Sequence, residues 1–168
     1  MVEIAAGTGE HASFFAPELS VASWQPTDAD PTSLASIDAW CAPVERVRPA
    51  AVLDVRALPW PIETADVIVC INMIHIAPWA ACQGLLAEAG RQLPVGGQLV
   101  LYGPFIEQSV PTSPSNEAFD ASLRSRDPSW GLRSLEQVSA LAASHGLQLS
   151  GRWAMPANNL TVAFRRSG

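Results

Sequence analysis

Glu3, Gly7 and Gly9 sit together in the stretch EIAAGTGEH, spaced E-x-x-x-G-x-G. Glycines so placed after an apolar run let a backbone approach a ligand closely. The dinucleotide fingerprint G-x-G-x-x-G needs a third glycine, and position 12 is Ala. Alanine is tolerated there, so pyrophosphate binding stays open but is weakened. The carboxylate of Glu3 repels pyrophosphate and suits a ligand carrying an ammonium group. Asp28 follows Gly9 by 19 residues, a distance at which a carboxylate bonds the two hydroxyls of a ribose. Asp54 is placed to accept from an adenine amino group, with Leu58, Pro59 and Trp60 as an apolar wall. Each acid alone is equally a turn former at a strand end; their order and spacing carry the reading. An acid-rich pocket for a ribose, an adenine and an ammonium fits S-adenosylmethionine better than a phosphate-bearing cofactor.

Methyl transfer from a sulfonium is chiefly a matter of positioning, and a base is needed only where the nucleophile must lose a proton. His75, in NMIHIAPW, is the first candidate base. The competing account is a histidine donating to a backbone carbonyl at the start of the next helix. His11 follows the glycine turn and serves either the cofactor or helix packing. His145, before Gly146, is read as structural, at a helix C-terminus where the dipole favours it. Tyr102 is a second candidate for proton handling. Asn116, Asp120 and Arg124 recur every four residues and share one helix face, with Phe119 and Leu123 as the apolar stripe that docks it. That face is either a solvated surface with an Asp120–Arg124 pair or part of a lid. Arg126, Trp130 and Arg133 extend the pocket, the arginines as a clamp for a carboxylate. Cys70 and Cys82 have no neighbouring base, so nucleophilic catalysis has no support.

The elements that position these residues alternate as in a parallel α/β sheet. Strands are expected at residues 1–5, 21–24, 51–55, 65–71 and 98–102, the fourth an apolar run buried on both faces. Helices are expected at 11–16, ended by Pro17; after Asp30 and Pro31, with Leu34, Ile37 and Cys41 inward; and at 78–93. A loop at 103–114 leads to a polar helix. Ser134 to Gln137 form a capping box for a helix with Leu135, Val138, Leu141 and Ala142 inward, ended by Gly146. Strands near 147–153 and 160–164 close the chain as a hairpin. The expectation is seven strands, mostly parallel, with helices on both faces and a lid-like insertion at about 103–133 of one domain spanning 1–168.

A chain of 168 residues with 48% hydrophobic and 15% charged residues is globular and long enough for a substantial core. A net charge of −6 gives no electrostatic footprint for nucleic acid or an anionic membrane. Three cysteines without a CxxC speak against a disulfide framework or a metal site and for a cytoplasmic setting. No apolar run approaches the ~18 residues of a membrane span.

The stretches EIAAGTGEHASFFAP, WQPTD, LDVRALPWP, CINMIHIAPW, LPVGGQLVLYGPF and SPSNEAFDASLRSRDPSWGLRSLEQV resemble a class I methyltransferase-like family once catalogued as a domain of unknown function. Its vertebrate members are called methyltransferase-like protein 26. The resemblance covers nearly the whole chain, and its last stretch is the most specific. It implies a Rossmann-like methyltransferase fold and S-adenosylmethionine binding, with S-adenosylhomocysteine as product. By residue, it implies that Glu3, Gly7 and Gly9 hold the methionine portion and Asp28 the ribose. Asp54 and Val55 contact the adenine, and Asn72 flanks the methionine and the methyl. Relatives carry an upstream helix and the start of the first strand before the position of Met1, which implies either that the start of this sequence is short or that the cofactor pocket is more open here. Three functions follow in order: methyl transfer to a small-molecule acceptor, cofactor binding without transfer, and nicotinamide-dependent oxidoreduction.

Overall fold

The structure, a computed structural model, describes residues 1–62 and 65–168. Strand β1 (Val2–Ile4) runs into the glycine turn and helix α1 (Glu10–Glu18). Strand β2 (Gln25–Asp28), a 3-10 turn and helix α2 (Leu34–Cys41) follow, then β3 (Ala51–Val52) and β4 (Val67–Ile71). Helix α3 (Trp79–Gln92) leads to β5 (Gln98–Gly103). Next come β6 (Phe105–Ile106), α4 (Pro114–Arg126) and β7 (Arg133–Ser134). Helix α5 (Leu135–Ser144) and strands β8 (Leu147–Met155) and β9 (Asn159–Arg166) complete the chain.

The seven-stranded sheet has the order β3-β2-β1-β4-β5-β9-β8. Its first five strands are parallel, and β9 runs antiparallel between β5 and β8. This is the expected Rossmann-like architecture with its closing hairpin. Alternation along the strands builds two cores. Val2, Ile4, Ile68 and Cys70 face Leu85 and Leu86 of α3 and Val138 and Ala142 of α5. Val69 points the other way, toward Ala12 and Ala16 of α1 and Ile37 and Cys41 of α2.

Local chemistry sets the element ends. Asp30 accepts from Thr32 N at 2.9 Å with Pro31 at the first position, as expected of a helix start. Ser134 Oγ accepts from Gln137 N at 3.2 Å, the expected cap of α5.

Four expectations are corrected. The second strand lies at Gln25–Asp28 rather than 21–24. Trp24 makes only an isolated bridge to Val47, while Gln25 and Pro26 pair with β1 and Thr27 and Asp28 with β3. The third strand stops at Val52, because the chain turns away at Asp54, whose Oδ1 accepts from Arg56 N at 2.9 Å. Pro17 lies inside α1 rather than ending it; the helix closes where Leu19 N donates to Phe15 O. The loop after β5 contains a strand, since Phe105 and Ile106 pair in parallel with Arg133 and Ser134 and so join the two ends of the segment that carries α4.

Candidate functional site

The parallel strands end at one edge of the sheet, where ligands bind in open α/β folds. There a cavity of about 390 Å3 opens, lined by Gly7, Asp28, Asp54, Val55, Asn72 and Trp130 among others. That volume falls in the ~300–1,000 Å3 range of small-molecule sites.

The glycine turn forms one wall. Ala5, Gly7 and Gly9 all have positive φ, of 56°, 62° and 92°. The space beside Gly7 is open, with nothing within 4 Å of where a Cβ would stand. The turn is braced from β2: Asp28 Oδ2 accepts from Gly7 N and Asp28 Oδ1 from Asp30 N, both at 2.9 Å. Two bonds leave the carboxylate with acceptor capacity to spare. Gly9 serves packing instead. A Cβ there would lie 2.7 Å from Ile37 Cα, so the glycine lets α2 cross against the start of α1.

Glu3 lies beneath the turn at 1% exposure and outside the cavity lining. Its Oε2 accepts from Trp24 Nε1 at 2.9 Å, and its Oε1 has no hydrogen-bond partner. His11 Nδ1 stands 3.7 Å from that oxygen. Burial pushes the Glu3 carboxyl up to about 7, opposed by the Trp24 bond and reinforced by the charge of Asp28.

Asp54 and Val55 form the opposite wall. Asp54 pairs with Arg56 at 2.7 Å, which holds its carboxyl below the usual range. Helix α3 supports this turn at Gly84, where a Cβ would fall 2.2 Å from Val55 O. The expected wall of Leu58, Pro59 and Trp60 is absent from the lining. Trp60 is buried and donates to Val55 O at 3.2 Å, while Leu58 is exposed. Ile76, Ala77, Pro78 and Trp130 supply the apolar wall instead.

Trp130 is held there by bonds from the residues that follow it to α4 and to the loop after β4. Gly131 N donates to His75 O at 3.0 Å, Leu132 N to Asp120 Oδ1 at 2.7 Å, and Arg133 Nε to Ile74 O at 2.9 Å. Asp120 is also paired with Arg124 at 2.8 Å. Arg133 therefore spends its donors on backbone carbonyls, and Arg126 stacks on Trp130 at 5.6 Å.

Asn72, at φ 55°, lines the cavity where β4 ends. His75 is 3% exposed, with Nδ1 buried and unpartnered, and lies 5.7 Å from the Phe119 ring. Burial first, and Arg133 second, lower its pKa to about 4. Tyr102 OH accepts from Asn159 Nδ2 at 3.3 Å. Asn116 is buried on a second cavity, and its Nδ2 donates to Asn158 O at 3.0 Å. The structure thus gathers Gly7, Asp28, Asp54, Val55 and Asn72 on one cavity. Glu3, Gly9 and His11 stand behind the turn, and His75, Tyr102, Asn116 and Asp120 lie outside the lining. Ala5 and Ile76 were missed; Ala5 occupies a position where only backbone conformation, not residue type, marks the site.

These residues suit S-adenosylmethionine: an acid with acceptor capacity to spare for a ribose, an acid for an amino group, and an open glycine turn. The family model described as "Protein of unknown function (DUF938)" matches residues 1–166. Among solved structures, the chain is similar to an O-methyltransferase family protein from Burkholderia thailandensis, at TM-score 0.82 and 16% identity, over 99% of this chain and 50% of that one. It is also similar to human N-acetylserotonin methyltransferase in complex with SAM, at TM-score 0.82 and 15% identity, over 100% and 47%. The pyocyanin biosynthetic protein PhzM matches at TM-score 0.79 and 20% identity, over 99% and 49%. The chain spans about half the length of these three proteins, and the likeness is one of fold.

Proposed function

The chain belongs to the family described as a protein of unknown function, DUF938, and we propose that it transfers a methyl group from S-adenosylmethionine to a small-molecule acceptor. One observation carries the reading. Gly7 N, the amide that would face a phosphate, already donates to Asp28 Oδ2 at 2.9 Å. The turn therefore offers a carboxylate, which suits hydroxyls and cations, where a dinucleotide site would offer amides. Kinship with methyltransferase-like protein 26 is part of the same proposal. So is a cytoplasmic setting, which accords with the buried, free Cys41, Cys70 and Cys82. Among the described residues no helix is long and apolar enough to cross a membrane.

In this reading Asp28 binds the ribose hydroxyls, Asp54 and Val55 hold the adenine, and Gly7 and Asn72 flank the methionine portion. Glu3, Gly9 and His11 act from behind, fixing the turn. The bound cofactor supplies an electrophilic methyl on a sulfonium. His75 accepts the acceptor's proton at Nδ1, with Tyr102 and Asn116 orienting the acceptor. Asp120 is a positioning residue, acting through Leu132 N. Residues 103–133 form the lid, with Trp130 closing the cofactor cavity.

A second reading, cofactor binding without transfer, is favoured by the burial of His75. Calorimetric titration with S-adenosylmethionine, S-adenosylhomocysteine and NAD tests the common part. Binding of both sulfur nucleosides and not NAD is expected; NAD binding, or none by any of the three, refutes it. Methyl production then separates the two readings.

A further inference from the structure

A second cavity, of about 180 Å3, lies between the start of α4 and the tip of the β8–β9 hairpin. It opens on the same sheet edge as the cofactor cavity, because Gly103 at the end of β5 pairs with Leu160 of β9, and Met155 of β8 with Asn159. The partition between the two cavities is the end of β5 and the residues against it. A Cβ at Gly103 would stand 3.1 Å from Cε1 and Nδ1 of His75, and Phe105, two residues on, lines the second cavity. Phe119, in ring contact with His75, lies one helical turn from Asn116.

We propose that this second cavity is a binding site that takes a small uncharged ring carrying a hydroxyl group, about the size of phenol. Size comes first: a protein cavity of ~150 Å3 holds one benzene ring, and this one is slightly larger. Its apolar lining comes from the buried Phe105 and Leu160, with the exposed Met155 beside them. Charge excludes acids and amines. The ionic groups on its wall, Glu107 and Arg152, satisfy each other through two bonds of 2.6 and 3.0 Å, leaving no free charge to hold an ionised ligand. The specific handle is Asn116. It is 7% exposed, and its Nδ2 is tied to Asn158 O at 3.0 Å. Among the described residues nothing donates to its Oδ1, an amide oxygen that a ligand hydroxyl would satisfy. Asn158 and its neighbour Ala157 are both held at φ 57°, an uncommon conformation for non-glycine residues, so the hairpin tip bends to present the carbonyl that orients this amide.

The test is a two-dimensional NMR titration of the isotope-labelled full chain with phenol, free and saturated with S-adenosylhomocysteine, with benzoate and benzylamine as charged comparators. Phenol is expected to shift the side-chain amide signals of Asn116, Asn158 and Asn159 saturably, and the charged rings are not. Asn116→Leu removes the handle. Ala154→Phe fills the cavity from an exposed position of β8. Each is expected to weaken phenol at least tenfold while the calorimetric Kd for S-adenosylhomocysteine stays unchanged. Phenol shifts confined to the Trp130 indole, equal binding in both variants, or equal binding of benzoate would each overturn the assignment. Failure of S-adenosylhomocysteine to bind would instead refute the cofactor reading, and the phenol titration of the free protein still decides the cavity.

Discussion

Glu3 and His75 are buried titratable groups whose burial has opposite consequences for stability, and replacing Glu3 by glutamine separates them. The Glu3 carboxyl titrates at about 7 in the fold against 4.5 when solvated. Its folded form prefers the proton, so its contribution is fully present below pH 4.5 and is lost as pH rises through 7. At about 1.4 kcal/mol per tenfold in proton affinity, the loss is about 3 kcal/mol. His75 titrates at about 4 against 6.5. Its folded form rejects the proton, so stability is full above pH 6.5 and falls by a similar amount toward pH 4. Between pH 4.5 and 6.5 the two slopes cancel, and the wild-type protein is expected to show a flat profile there. The groups facing Glu3 are the Trp24 indole, His11 of α1, Asp28 of β2, Cys41 of α2 and Cys70 of β4. A glutamine at this position would keep the Trp24 bond through its amide oxygen and lose the charge. The expected result of Glu3→Gln is a gain of about 2–3 kcal/mol at pH 8, roughly 5–10 °C in Tm for a chain of this size, and none at pH 4. The variant's own profile should then fall below pH 6.5, exposing the His75 slope. Urea denaturation of both proteins from pH 4 to 8 measures this. A gain that is the same at every pH, or a loss at pH 8, would refute the account of Glu3.

Asp28→Ala removes the brace on Gly7 and, in the proposed function, the acceptor for the ribose; at ~1.5–3 kcal/mol per charged hydrogen bond, calorimetry should show S-adenosylhomocysteine weakened by about a hundredfold or more, and an unchanged Kd would sink the pocket assignment. Gly84→Ala should cost roughly 1–3 kcal/mol in thermal unfolding, because the added methyl meets Val55 O at 2.2 Å; a rise from better helix propensity would contradict the packing described. Ala5→Gly should raise stability by about 0.5–1 kcal/mol, since φ at this residue is 56° and the left-handed region costs a side chain ~1–2 kcal/mol against the unfolded-state entropy of glycine; a loss would show the strain to be absent. His75→Ala should slow methyl transfer by about 10²–10⁴ with cofactor affinity intact, and weakened binding would favour a packing role.

Much of this protein was legible in the order of its residues. The apolar run of β4, the Asp30 and Ser134 caps and the glycine turn are local signals, each fixed by backbone sterics or by a side chain bonding its near neighbours. They announced an α/β sheet and the side of it on which Gly7, Asp28, Asp54, Val55 and Asn72 would meet. What sequence could not reach depended on partners distant in the chain. QPTD forms β2 because β1 and β3 flank it, although Pro26 and Asp28 are residues that strands disfavour. Trp130 reaches the cavity at the ends of the parallel strands because Gly131, Leu132 and Arg133 are tied to His75, Asp120 and Ile74. The same holds for the charges. The sequence supplied the carboxyl of Glu3 and the imidazole of His75, and only tertiary burial decided their proton affinities, because withdrawing water from an ionisable group penalises its charged form.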